Sequence, residues 1–210
     1  MKNKTTLYNF ILDRSGSMSG METVAVQGFN DHLKTIRNLQ TEFPNQTFLC
    51  SLTTFDNQIE TIVEASQISE IFPIEVGQYS PRGMTALLDA IGKNIHDITE
   101  KYKQLIDSDE MSVVFVIITD GHENASQFFS YHDIAQKIAQ LENTKKWTFT
   151  FIGADFDAIH TSRMLNIKTE NTININKSDY ACMSAEINEQ MHTYSKYKER
   201  GIIKNSFFSK

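Results

Sequence analysis

The sequence predicts an α/β layer fold: a mainly parallel sheet, doubly wound, with helices on both faces. Three observations predict it. Apolar runs of strand length alternate with stretches of helical period along the chain. The strongest runs, "LYNFIL" and "MSVVFVIITDG", are almost continuously apolar, as strands buried on both faces must be. Both runs stop at an aspartate, Asp13 and Asp120, that opens onto loop residues.

The elements follow in order. Leu7 to Leu12 is the first strand. Val26, Phe29, Leu33 and Ile36 then lie on one helix face. "TFLCSLTTF" and "IETIVEA" are two strand-like runs separated by Asp56, Asn57 and Gln58, a gap that suits an antiparallel hairpin. After an irregular stretch, Leu88, Ile91, Ile95, Ile98, Tyr102 and Leu105 mark the clearest helix. "MSVVFVIITDG" is the fourth strand. Tyr131, Ile134, Ile138 and Leu141 form a further helix stripe, and "WTFTFIGA" is the fifth strand. A helix around Asp157 to Leu165, a short strand at "NTININ" and a last helix through Tyr180, Met183, Ile187, Met191 and Tyr194 complete the chain.

The chain has 210 residues, 40% hydrophobic and 22% charged, enough to bury a sizeable core. With no repeat, low-complexity tract or Pro/Gly linker, residues 1–198 read as one domain and 199–210 as a basic tail. That tail, with Phe207 and Phe208 exposed, is expected either to fray or to dock. The net charge of -6 argues against a general nucleic-acid or acidic-membrane surface. Cys50 and Cys182 read as buried or half-buried free thiols, and no Cys-x-x-Cys pair suggests zinc or thiol redox chemistry. The N-terminal apolar stretch is too short for a signal peptide, and no run approaches the roughly 18 apolar residues of a membrane helix. A cytoplasmic location is therefore expected.

Ligands of open α/β sheets collect beyond the carboxyl ends of the strands. If the strands ending at Asp13 and Asp120 are neighbours, their carboxylates share a crevice and repel unless a cation lies between them. In an extended loop Asp13, Ser15 and Ser17 would point the same way, with Gly16 permitting a tight turn. Thr85 stands at the start of the clearest helix. The set of two carboxylates and three hydroxyls contains only hard oxygen donors, which select magnesium first, with manganese or calcium also fitting. An ion held largely by hydroxyls stays electrophilic and can accept a carboxylate from a partner.

"DRSGS", the "GMT" before a helix and the "ITDG" after a strand resemble the three loops of a von Willebrand factor type A domain. The resemblance runs from about Leu7 to the last helix and is strongest toward small, free-standing bacterial or phage members. It implies a six-stranded Rossmann-like sheet in the order 3-2-1-4-5-6 with strand 3 antiparallel. It also implies a metal-ion-dependent adhesion site formed by Asp13, Ser15, Ser17, Thr85 and Asp120. The function implied is a non-enzymatic protein-binding module, with magnesium taking an Asp or Glu from a partner. The loops Met18 to Glu22, Tyr79 to Met84 and Gly121 to Gln127 would set specificity.

Other chemistries fit less well. His122 and Glu123 would begin a metalloprotease motif only if position 126 were His; it is Ser126. A phosphatase of the haloacid dehalogenase type needs an acid two residues after Asp13, where Ser15 stands. "GSMSG" has Met18 where a serine hydrolase has its nucleophile, and no phosphate-binding Gly-rich loop is present. The alternatives kept are a magnesium-dependent phosphate-ester hydrolase and a scaffold with a purely structural metal. Ser15 and Ser17 could instead cap the next helix, Asp56 could support the site from behind or be merely a turn residue, and Met18, Met21 and Met84 could form a soft rim or simply pack.

Overall fold

Strand β1 (Thr5–Asp13) lies at the centre of the sheet, between β2 (Thr47–Phe55) and β4 (Met111–Thr119), and pairs parallel with both. The computed structural model describes residues 5–120, 122–154, 158–176, 179–202 and 206–208. Strand β3 (Ile59–Gln67) is antiparallel to β2, whereas β5 (Trp147–Ala154) and β6 (Thr172–Ile175) extend the other side in parallel. The order is β3-β2-β1-β4-β5-β6, as the sequence and its resemblance led one to expect. Helices α1 (Glu22–Glu42), α2 (Leu87–Asp107), α3 (Tyr131–Asn143), α4 (Ala158–Met164) and α5 (Tyr180–Glu199) cover the two faces. The start of the predicted fourth helix at Asp157 and the N-terminal residues 1–4 lie outside the described residues.

Side chains alternate across the pleat and so feed two cores. Tyr8, Phe10 and Leu12 face α1 and α5, together with Val114 and Val116 of β4. Leu7 and Ile11 face α2 and α3, together with Val113, Phe115 and Ile117. All nine residues of β4 are buried, which accounts for its unbroken apolar sequence. The apolar stripe of α2 packs wholly into the second core. No helix among the described residues is long and apolar enough to cross a membrane.

Two expectations need correction. Phe207 and Phe208 are not exposed: both are buried in the first core, where the Phe207 ring lies 6.2 Å from that of Tyr194. The tail is apolar at this point because it covers α5. Cys50 is buried as expected, but Cys182 is exposed, on the outer side of α5.

The α1–α5 interface carries a buried histidine. His32 stacks on Phe10 with ring centroids 5.1 Å apart, and its Nδ1 lies 2.8 Å from Asn188 Oδ1. Burial pushes its pKa down to about 4, against the partial support of Asn188. The unfolded chain therefore takes up a proton near pH 6.5 that the folded chain refuses until about pH 4. Stability is lost as pH falls through this window, by about 3 kcal/mol in total. Asp13, raised to about 6 by its own burial, acts with the opposite sign in the metal-free protein, so the effect of His32 emerges as a difference between variants. In urea titrations from pH 7 to pH 4, the wild type should lose about 3 kcal/mol more than His32→Gln. Parallel pH profiles would contradict this assignment.

Candidate metal centre

The first loop begins where β1 runs out. Asp13 is fully buried; its Oδ1 accepts the Ser15 backbone N–H at 2.6 Å and its Oδ2 accepts the Thr119 hydroxyl at 2.6 Å. Burial pushes this carboxyl up to about 6; these hydrogen bonds oppose the shift and the charge of Asp120 adds to it.

The loop is not extended throughout, as the spacing alone suggested. Ser15 is extended, at φ -62° and ψ 166°, but Gly16–Met18 form one turn of 3-10 helix. That turn, rather than a strand period, brings Ser17 round. The Ser17 hydroxyl donates to Asp120 Oδ1 at 2.8 Å and lies 3.0 Å from the Ser15 hydroxyl. Neither serine caps α1, whose N-cap position is Met21. Gly16 has no positive φ; in the first two loops it is Gly20 (φ 87°) and Gly83 (φ 66°) that are left-handed, where a side chain would be strained.

Asp13, Ser15, Ser17 and Asp120 thus meet in one hydrogen-bonded group at the carboxyl ends of neighbouring strands. Thr85 is held beside it by backbone bonds. The Gly16 N–H donates to the Gly83 carbonyl at 3.2 Å, tying the first loop to the second. The Thr85 N–H donates to Asn124 Oδ1 at 2.8 Å, while its carbonyl accepts from Asn124 and Ala125 at 3.0 and 3.2 Å, tying the second loop to the third. Thr85 itself is buried.

The structure also assembles a set of supporting residues, of which the sequence raises only Asp56, as either a support behind the site or a turn residue. Asp56, fully buried, closes β2 as Asp13 closes β1. Its Oδ2 accepts from Arg14 Nε at 3.2 Å and from Arg82 Nε at 3.0 Å, and its Oδ1 accepts the Gln58 N–H at 2.5 Å. One carboxylate therefore clamps the first loop to the second. The Tyr79 hydroxyl donates to the Asp13 carbonyl at 2.5 Å. Of the two roles the sequence leaves open for Asp56, the supporting one is what the structure shows; its two arginine partners are not foreseen by the sequence.

The third loop is folded back onto the N-terminus of α2. Glu123 accepts from the N–H groups of Leu88, Ala125 and Ser126 at 2.9, 2.9 and 2.7 Å. Asp89 of α2 accepts from those of Gln127, Phe128 and Phe129 at 2.8, 3.0 and 2.9 Å. Glu123 is a helix-terminal anchor here, in the position where a negative charge meets the positive end of the helix dipole. Gly121 lies outside the described residues. Of the three methionines, Met18 is buried in the core and Met21 packs against it; Met84 is 56% exposed, and Phe128 of the third loop is 83% exposed.

Among the described residues no three His, Cys, Asp or Glu side chains cluster as metal ligands would. The group at the strand ends is of another kind, with hydroxyls outnumbering carboxylates.

No protein-family model and no curated protein matches the sequence. Solved structures do match in fold. The von Willebrand factor domain of the type V pili tip protein Mfa5 from Porphyromonas gingivalis aligns at TM-score 0.62, covering 92% of this chain and 96% of that one at 9% identity. Proximal thread matrix protein 1 from the mussel byssus, with a zinc-occupied MIDAS motif, aligns at 0.56 and 13% identity over 90% of this chain. The ArnB paralog VWA2 from Sulfolobus acidocaldarius aligns at 0.52 and 18% identity, also over 90%. The chain spans 46% of the length of each of these last two. With six strands in the order β3-β2-β1-β4-β5-β6 and β3 antiparallel at the edge, the chain has the von Willebrand factor type A fold.

Proposed function

We propose that this chain is a metal-dependent protein-binding module. Asp13, Ser15, Ser17, Thr85 and Asp120 would hold one divalent cation, and a partner's Asp or Glu would complete its shell. The observation that carries this reading is the hydrogen bond from Ser17 to Asp120, with Ser15 beside it, joining two loops 103 residues apart. Turn chemistry alone does not require two hydroxyls and a carboxylate from separate loops to meet.

The donor chemistry fits the ion. Oxygen donors alone suit magnesium, with manganese or calcium also accommodated. Asp13 sits in a desolvated position beside a second carboxylate, an arrangement that a cation relieves. When bound, the ion supplies a positive charge that an acidic side chain can meet directly. Met84 and Phe128, both exposed, supply apolar surface on the second and third loops. Two of the structures with this fold support a metal in general terms: one is described as having a zinc-occupied MIDAS motif, and the other is a manganese-loaded Plasmodium vivax TRAP protein.

A non-enzymatic role is the simpler reading, because Ser15 stands where phosphoryl-transfer chemistry of this type would need an acid. We also infer a cytoplasmic protein of bacterial type.

Asp120→Ala and Ser15→Ala should weaken magnesium or manganese binding, read by titration calorimetry, at least about 100-fold, with thermal unfolding shifted by only a few degrees. Native affinity capture should recover an acidic partner with magnesium and lose it with a chelator. Unchanged metal affinity in both variants would defeat the proposal. Turnover of a generic phosphate ester would favour the hydrolase instead. Partner capture that survives chelation, with only a lowered melting temperature, would favour a structural metal.

A further inference from the structure

Far from the strand ends, the α2 face of the sheet contains a polar gap. Along β1 the residues on this face are Leu7, Asn9 and Ile11; along β2 they are Leu49, Ser51, Thr53 and Phe55. The apolar ends belong to the second core, but Asn9, Ser51 and Thr53 interrupt it in adjacent strands. All three are at least nine-tenths buried, as is Asn94 of α2, which covers them. Instead of packing against the helix, they line a cavity of about 160 Å³.

Most of these polar groups are hydrogen-bonded. The Ser51 hydroxyl donates to Asn9 Oδ1 at 2.6 Å, the Thr53 hydroxyl to Asn94 Oδ1 at 2.9 Å, and Asn94 Nδ2 to the Ala90 carbonyl at 2.9 Å. Asn9 Nδ2 is the exception: it is buried and, among the described residues, has no acceptor. A buried donor without a partner is costly, and the cavity is where a partner can stand. Ser51 and Thr53 keep oxygen lone pairs there. Ile98, Ala65 and Tyr102 supply an apolar wall, the last fixed by its hydroxyl bond to the Ala65 carbonyl at 2.9 Å, and Thr61 adds a further polar group.

We infer that this cavity is a binding site for a small, neutral, planar amide: one ring carrying a carbonyl for Asn9 and an N–H for Ser51 or Thr53. Size supports this, because an engineered cavity of about 150 Å³ in another protein accepts benzene. Polarity makes an apolar occupant unsuitable. Charge at the mouth supports a neutral ligand: Lys101 is paired with Glu64, 3.8 Å away, and Asp97 with Lys93, so neither sign is selected. The site is separate from the strand-end loops and does not depend on metal there.

The test is a titration of the isotope-labelled protein with benzamide, followed by amide-resolved NMR, with toluene and benzoate as controls. Benzamide should shift the Asn9 side-chain amide and Tyr102 saturably, and both controls should bind at least about tenfold more weakly. Asn9→Leu should weaken benzamide by about tenfold. Ala65→Phe, on the outer strand, should block the cavity in a chain whose fold does not depend on Asn9. The inference is overturned if benzamide leaves the Asn9 signals unmoved, meaning water is the only occupant. It is equally overturned if toluene matches benzamide, or if both variants bind benzamide as the wild type does.

Discussion

Asp56→Ala is expected to destabilise the protein by about 3 kcal/mol and to weaken divalent-metal binding at the same time. The carboxylate is fully buried and accepts from both Arg14 and Arg82. Without it, the buried Arg14 guanidinium keeps, among the described residues, Glu60, a partner whose side chain is 55% exposed. Removing one member of a buried ion pair costs about 3–5 kcal/mol, because the remaining charge stays out of water. Glu60 retains part of the compensation, which places the expectation at the lower end. Arg82 is more than half exposed and is easily rehydrated, so its share is small. The consequence for the site follows from what Asp56 joins. Arg14 follows Asp13 directly, and Arg82 lies in the loop that carries Thr85. Asp56→Asn keeps an acceptor for one arginine and should cost less than the alanine variant. Urea unfolding with parallel magnesium titrations checks both effects. A loss below about 1 kcal/mol with unchanged metal affinity would show that the clamp is dispensable.

Phe207→Ala should cost about 3–4 kcal/mol, an effect of core size from a residue near the chain terminus. Phe207 is 2% exposed, its ring lies 5.2 Å from that of Phe208 in an edge-to-face arrangement, and its N–H donates to Asn171 Oδ1 at 2.7 Å. Truncating the ring leaves a void bordered by Tyr194 of α5, which the fully packed sheet beneath cannot fill. Phe72, 81% exposed, is the control: Phe72→Ala should lie within about 0.5 kcal/mol of the wild type. Thermal unfolding distinguishes the two. Equal melting temperatures for Phe207→Ala and the wild type would mean that the tail only rests on the body.

Much of this is legible in the sequence. The continuous apolar runs of β1 and β4 could only be strands covered on both faces, and the stripe from Leu88 to Leu105 could only be a helix on one of them. Three particulars were not legible. Ser17 reaches Asp120 through a 3-10 turn, which the alternating spacing of the loop disguised as extended chain. The methionines near the loops looked alike in sequence, yet Met18 is core and Met84 is surface. Phe207 and Phe208 sit in a basic, polar segment whose composition suggested exposure, whereas the uncovered edge of α5 draws them in.

The sequence by itself determined the strands and helices, the two acids at strand ends and the hard-oxygen character of the donor set. These are properties of residue type and spacing, read within a few residues. Only the tertiary structure decided that one buried carboxylate, Asp56, binds two arginines from different loops, and that Asn9 has a donor unanswered among the described residues, beside a cavity. The physical reason is that the worth of a charge or an amide depends on what replaces its water. That is set by neighbours brought together across the whole fold, such as Arg14 and Asp56, 42 residues apart.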